Sequence, residues 1–140
     1  MPYREKIAWL SLIAMAVTFG PYFAFAAASG GGDRLPGLRF LVPFGIAAIA
    51  QAVLLGLGHW FLRRRSPLDA RMPLDERDRA IDRRSVTLAY YALIAGMILV
   101  GVVMPFNSAG WSIVNAALFA IIIAEVVHYA SVVTSYRLQS

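Results

Sequence analysis

Cysteine is absent from the 140-residue sequence, and charged residues are scarce. Without cysteine the chain has no disulfides, thiolate metal sites, iron–sulfur clusters or thiol oxidoreductase chemistry. Charged residues make up 15% of the chain and hydrophobic residues 59%, and the mean hydropathy is +0.65. Soluble domains carry about 25% charged residues. The composition therefore favours a membrane protein.

Standard catalytic motifs are also missing. The sequence has no phosphate-binding glycine loop, no pair of histidines with metalloprotease spacing and no nucleophile-elbow serine. The glycine run at 30–32 is not followed by a phosphate-binding helix pattern. We therefore do not expect an enzyme, and the short chain predicts a single domain over residues 1–140.

Long apolar runs are the main feature that is present. Each of four runs approaches the roughly 20 residues that an α-helix needs to cross a bilayer, and backbone groups in lipid must be satisfied within the segment. The sequence therefore predicts an all-α bundle of four transmembrane helices. The predicted spans are residues 7–28, 40–62, 86–104 and 111–133.

The distribution of lysine and arginine predicts the orientation of the spans. Eleven of the thirteen lie before the first span, between the second and third, or after the fourth, and eight of these are in the loop 63–85. Loops rich in Lys and Arg stay in the cytoplasm. We expect both termini and this loop to be cytoplasmic, the loops at 30–32 and 107–108 to face outward, and the protein to be multi-pass in the inner (plasma) membrane.

The first span also resembles a secretory signal, because Arg4 and Lys6 precede its apolar run and Ala24-Phe25-Ala26 resembles a cleavage site. The apolar run is longer than a usual signal core, which favours a retained helix.

Small residues predict how the helices pack, because helices in lipid associate through close contact. Ala116, Ala120 and Ala124 form one stripe on the fourth span, and His128 is the next position along it. The pairs Ala92 with Gly96 and Ala52 with Gly56 predict similar faces on the third and second spans. A small-residue face left uncovered would favour a homo-oligomer.

Polar residues within the spans form a candidate site, because ionisable groups there are costly and usually functional. Glu125 is the only carboxylate inside any predicted span, and we expect it to share an inner-leaflet cluster with several other polar side chains. The predicted cluster contains His59, Glu125, His128, Tyr90, Tyr91 and Gln51.

Four interpretations of this cluster stay open. The first is a structural hydrogen-bond network between helices, and the second is proton-coupled transport through Glu125. The third is a divalent metal held by His59, Glu125 and His128, and the fourth is a haem between the two histidines. No spacing motif selects a cofactor, so none is expected.

The loop 63–85 is the second candidate site. Prolines 67 and 73 break the helix, and an acidic-basic string from Asp75 predicts a helix that runs into the third span. We expect it to bind anionic lipid headgroups or a cytosolic protein, or to serve only as a positive-inside anchor. Nucleic acid is not expected, because acids alternate with the arginines. The candidate residues are Arg63, Arg64, Arg65, Arg83, Arg84, Asp75, Glu76 and Asp78.

The string at residues 74–82 (LDERDRAID), followed by Ala89-Tyr90-Tyr91, resembles an uncharacterised group of small bacterial multi-span membrane proteins. Those proteins carry a D-E-R-D or D-E-R-E string just before a membrane helix, and the resemblance covers about a quarter of this chain. It implies a bacterial inner-membrane setting, and it implies no activity or catalytic residue.

The function that we expect is therefore that of a non-enzymatic structural, regulatory or sensing component that acts through the loop 63–85. A small proton-coupled transporter, or a transporter subunit, that uses Glu125 is the alternative. A haem or metal protein that uses His59 and His128 is the second alternative.

Overall fold

The computed structural model describes residues 2–28, 38–107 and 110–139, without the side chains of residues 38–40 and Trp111. Within these ranges the chain is helical and contains no strand. Four of the helices are long and apolar enough to cross a membrane. The prediction of an all-α fold with four candidate spans is confirmed. The helices are α1 (Tyr3–Ala28), α2 (Leu38–Arg65), α3 (Pro67–Arg71), α4 (Glu76–Ile98) and α5 (Trp111–Leu138).

Helix α1 supplies more of the buried residues described than any other helix. It packs against α2 on one side and against α5 on another, and α5 also packs against α4. Met15, Phe19 and Tyr22 of α1 are buried together with Ala47 of α2. The first predicted span is therefore packed as an integral part of the bundle.

The contact between α4 and α5 depends on small residues, as the sequence predicts. Ala120 and Ala124 are buried. A methyl group added at Gly96 would lie 2.8 Å from the Cβ of Ala120, so only glycine allows the two backbones to approach this closely. The second span differs from expectation. Ala52 and Gly56 were predicted to form a contact face, but both residues are exposed in the part of the chain that the structure describes.

The charged string folds as the start of α4. Asp75 caps this helix: its carboxylate accepts a hydrogen bond from the amide of Asp78, and the Asp78 carboxylate accepts one from the amide of Asp75. The helix continues through a π turn (Leu99–Val103) and a 3-10 turn (Met104–Phe106). The prediction of a helix that starts at the charged string and runs into the third span is therefore confirmed.

The outward faces of the four long helices are apolar. Large side chains are exposed on each of them, including Ile13, Ile49, Val102 and Ile121. Apolar surface of this extent is stable only when something other than water covers it, which is what a lipid bilayer does. The glycine run at 30–32 and Ser108, both predicted to lie in outward loops, are outside the described residues.

Candidate functional site at the arginine-rich end of the bundle

One end of the bundle collects the start of α1, the end of α2, the start of α4 and the end of α5, and we call it the arginine-rich end. Leu10 of α1 contacts Gly58 near the end of α2. An ion pair joins Arg4 of α1 to Asp78 of α4, with 3.4 Å between Nε and Oδ2. The helices therefore run up and down, and residues 2–6, 63–85 and 134–139 are neighbours.

Asp78 is the hub of a network at this end. Its carboxylate pairs with Arg4, accepts a hydrogen bond from the buried hydroxyl of Tyr136 and caps α4 through the amide of Asp75. These three contacts come from α1, α5 and the start of α4. One side chain therefore fixes the first turn of the loop helix against both ends of the chain.

A second ion pair lies beside this hub. The Nε of Arg137 donates to the Oε1 of Glu5 at 3.2 Å, and Glu5 is almost completely buried. The Arg137 guanidinium also lies over the ring of Trp9, 5.4 Å from its centroid. Arg77 donates to the side chain of Gln139 at 2.8 Å. The last turn of α5 is thus tied to α1 and to α4.

Sequence reasoning did not identify most of this network. It named Asp75 and Asp78 as docking residues, but their side chains participate in the cap of α4 and, for Asp78, in the contacts between helices. It missed Glu5 and Tyr136, and it did not predict that Arg4 and Arg137 pair with acids. The predicted topology could have pointed to this network, because it places the start of the first span and the end of the fourth at the same membrane face.

The predicted intramembrane cluster is divided among separate contacts. The hydroxyl of Thr18 donates to the Oε1 of Gln51 at 2.8 Å, which joins α1 to α2. The hydroxyl of Tyr22 donates to the Oδ1 of Asn115 at 2.6 Å, which joins α1 to α5. Gln51 therefore forms an interhelical hydrogen bond, but its partner is Thr18 and not another residue of the predicted cluster.

Glu125, Tyr90 and Tyr91 lie on the outside of the bundle. Glu125 is exposed on α5, and the described residues give it no hydrogen bond or ion pair. The two tyrosines are exposed on α4, and their rings contact each other at 6.0 Å between centroids. The structure therefore leaves all three outside the packed interior that the sequence pattern suggested.

The two histidines line different cavities. The Nδ1 of His59 lies 2.7 Å from the carbonyl oxygen of Leu55, within its own helix, and the ring borders a cavity beside Arg63. The ring of His128 contacts Tyr129 and borders a cavity between α1, α4 and α5.

The structure does not bring His59, Glu125 and His128 together, and no group of three ligands that could hold a metal occurs in the described part of the chain. The physical reason is the position of α1, which packs against both α2 and α5. The expected convergence of the three side chains would need α2 to lie directly beside α5.

The cavity beside His128 adjoins the Asp78 hub. It has a volume of about 210 Å³, and His128 and Val132 of α5 face Ile81 and Asp82 of α4 across it. Arg4 and Asp78 also line it. A space of this size with both apolar and charged walls can admit water or a small polar molecule.

The loop arginines are exposed. The guanidinium of Arg64 lies 4.1 Å from the centroid of the Trp60 ring, and that of Arg65 lies 4.8 Å from the centroid of the Phe61 ring. Arg83 and Arg84 are exposed on α4, one turn before the apolar segment. Cations stacked on aromatic rings at the end of an apolar helix are typical of the membrane–water boundary.

The chain has no match among protein-family models, curated proteins or solved structures.

Proposed function

We propose that this chain is a multi-pass protein of a bacterial inner membrane, with both termini and the loop 63–85 in the cytoplasm. It acts as a non-enzymatic structural, regulatory or sensing component, and the loop is its working surface. The observation that carries this proposal is the Asp78 hub. It fixes the first turn of α4 to both ends of the chain, so that the loop helix is a rigid part of the bundle.

A rigid helix presents its charges in fixed positions. Glu76, Arg79 and Arg83 are exposed on α4, whereas Ile81 and Ser85 are buried against the bundle. The exposed side therefore offers alternating acidic and basic groups in a constant pattern, and complementary charge patterns give specificity in protein association. A cytosolic protein with the opposite pattern is the expected partner.

The topology is tested by cysteine labelling, for which a chain without native cysteine is suited. Leu68→Cys and Asn107→Cys place one thiol at each end of the bundle, and both positions are exposed. A membrane-impermeant maleimide added to intact cells should label Asn107→Cys only, and Leu68→Cys should react after lysis. Labelling of Leu68→Cys from outside would refute the proposed orientation.

The working surface is tested by photo-crosslinking in cells. A photoreactive amino acid at Arg79 or Arg83 should give one discrete protein adduct. The same group at Ile94, which is exposed on the apolar part of α4, serves as the matched control and should not give that adduct. Failure of both loop positions to give an adduct absent from the control would refute docking on this surface.

Glu125 supports a second candidate function, proton-coupled transport. A carboxylate exposed on an apolar helix is costly in lipid unless it is protonated or reached by water, and proton relays use such groups. In proteoliposomes under a pH gradient, Glu125→Gln should abolish proton flux while leaving the fold intact. Equal flux in the wild type and the variant would exclude this role.

A further inference from the structure

A basic groove lies where α2 turns into α3. The helical hydrogen bonding of α2 extends to Ser66, whose amide donates to the carbonyl of Leu62 at 3.0 Å, and Pro67 then starts α3. This turn brings Arg71 of α3 to the same side as the last turn of α2. The resulting cavity, which we call the arginine groove, has a volume of about 300 Å³. It is lined by Trp60, Arg63, Arg64, Pro67 and Arg71.

The charge of the arginine groove is uncompensated. Three arginines line it, and its described lining includes no acidic residue. Asp69, the acid of α3, lines a different cavity together with Pro2, Tyr3 and Arg4. The ion pairs of the described residues involve other arginines, namely those of Arg4 with Asp78 and Arg137 with Glu5. Three neighbouring cations repel one another, so an anion in the groove would relieve that repulsion.

The position of the arginine groove indicates which anion it meets. Trp60 is half exposed at the end of an apolar helix, and the Arg64 guanidinium covers its ring. Tryptophan and arginine in this arrangement prefer the level of the lipid headgroups. Guanidinium groups are planar forks that bind phosphate oxygens through paired hydrogen bonds, and the cytoplasmic leaflet is rich in anionic lipids.

We propose that the arginine groove binds the phosphate headgroup of an anionic phospholipid, with Arg63 and Arg71 on either side of the phosphate and Arg64 held on Trp60 beside it. This inference rests on the proposed membrane placement. It revises the sequence-based expectation, because it keeps Arg63 and Arg64, adds Arg71 and leaves out the other arginines of the loop. Arg71 enters the site only through the turn at Pro67.

Lipid binding to the purified full-length chain tests this proposal. Phosphatidylglycerol and phosphatidylcholine are titrated separately in detergent, and bound lipid is counted by native mass spectrometry. The test variant is the double substitution Arg63→Gln/Arg71→Gln. The matched control, Arg83→Gln/Arg84→Gln, removes the same charge from exposed positions of α4. We expect the test variant to lose phosphatidylglycerol affinity by at least about tenfold more than the control.

Two results would overturn the proposal. Equal losses of phosphatidylglycerol affinity in the two double variants would mean that only the general positive charge attracts the lipid. Displacement of phosphatidylglycerol by millimolar inorganic phosphate would mean that the groove is a site for a soluble anion.

A charge-conserving variant makes the test independent of folding. Arg63→Lys/Arg71→Lys keeps both charges but removes the paired hydrogen bonds. We expect it to weaken phosphatidylglycerol binding by at least about threefold, whereas a purely electrostatic surface predicts no change. Because lipid binding is measured on purified protein, its failure is distinguishable from failure of the proposed orientation, which is measured by labelling in cells.

Discussion

The ion pair between Glu5 and Arg137 predicts an asymmetric response to mutation. The side chain of Glu5 is 6% exposed, whereas that of Arg137 is 59% exposed, although the two share one contact. Arg137→Gln leaves a buried carboxylate without its cation. Glu5→Gln leaves a guanidinium that is already largely outside the packed interior. We therefore expect Arg137→Gln to be clearly the more destabilising change.

The size of each destabilisation follows from how deeply the side chains of Glu5 and Arg137 are buried. Removing one partner of a fully buried ion pair costs about 3–5 kcal/mol, whereas exposed pairs contribute about 0–1 kcal/mol. With one buried and one exposed partner, we expect Arg137→Gln to lower the free energy of unfolding by about 2–3 kcal/mol. Glu5→Gln should lower it by less than about 1 kcal/mol.

The double variant isolates the buried charge as the cause. Glu5→Gln/Arg137→Gln contains no buried carboxylate at this position, so it should be more stable than Arg137→Gln alone. Arg137→Lys is the control for loss of side-chain packing, because it keeps a cation close to Glu5 and to the ring of Trp9. It should retain most of the wild-type stability.

Unfolding in detergent measures these differences. Tryptophan fluorescence of the purified chain, followed as the fraction of dodecyl sulfate in mixed micelles rises, gives an unfolding midpoint for each variant. Equal midpoints for Glu5→Gln and Arg137→Gln, or a double variant less stable than Arg137→Gln, would refute the argument from burial.

Three further changes test other contacts by the same assay, and the third is also tested by hydrogen exchange. Gly96→Ala should destabilise the chain by about 1–2 kcal/mol, because its methyl group would meet Ala120 at 2.8 Å, whereas Gly56→Ala has open space and should cost nothing. A stable Gly96→Ala variant would contradict the close approach of α4 and α5. Tyr136→Phe should cost about 1–2 kcal/mol, because it removes the hydrogen bond that the Tyr136 hydroxyl donates to the Asp78 carboxylate. An unchanged midpoint would count against that bond. Asp75→Ala should cost about 1 kcal/mol and reduce helicity near the start of α4, and unaltered hydrogen exchange there would speak against the cap.

Patterns local in sequence determined the helices of this protein. Apolar runs of span length form helices because lipid leaves the backbone no other partner, so the four long helices follow from hydropathy. The start of α4 follows from Asp75 and Asp78, whose spacing is that of a capping box. The small-residue stripe on α5 likewise predicted the face that meets Gly96.

Contacts between distant parts of the chain were decided only by tertiary structure. Glu5 and Arg137 are separated by 132 positions, and nothing local pairs one with the other. Helical spacing predicted that Glu125 and His128 share a face, but the rotation of α5 against its neighbours placed Glu125 outside and His128 beside a cavity. Hydropathy fixes the length of a helix, and the distribution of lysine and arginine predicts which membrane face its ends reach. Neither pattern carries information on which neighbour each face meets, because that depends on the packing of all four helices at once.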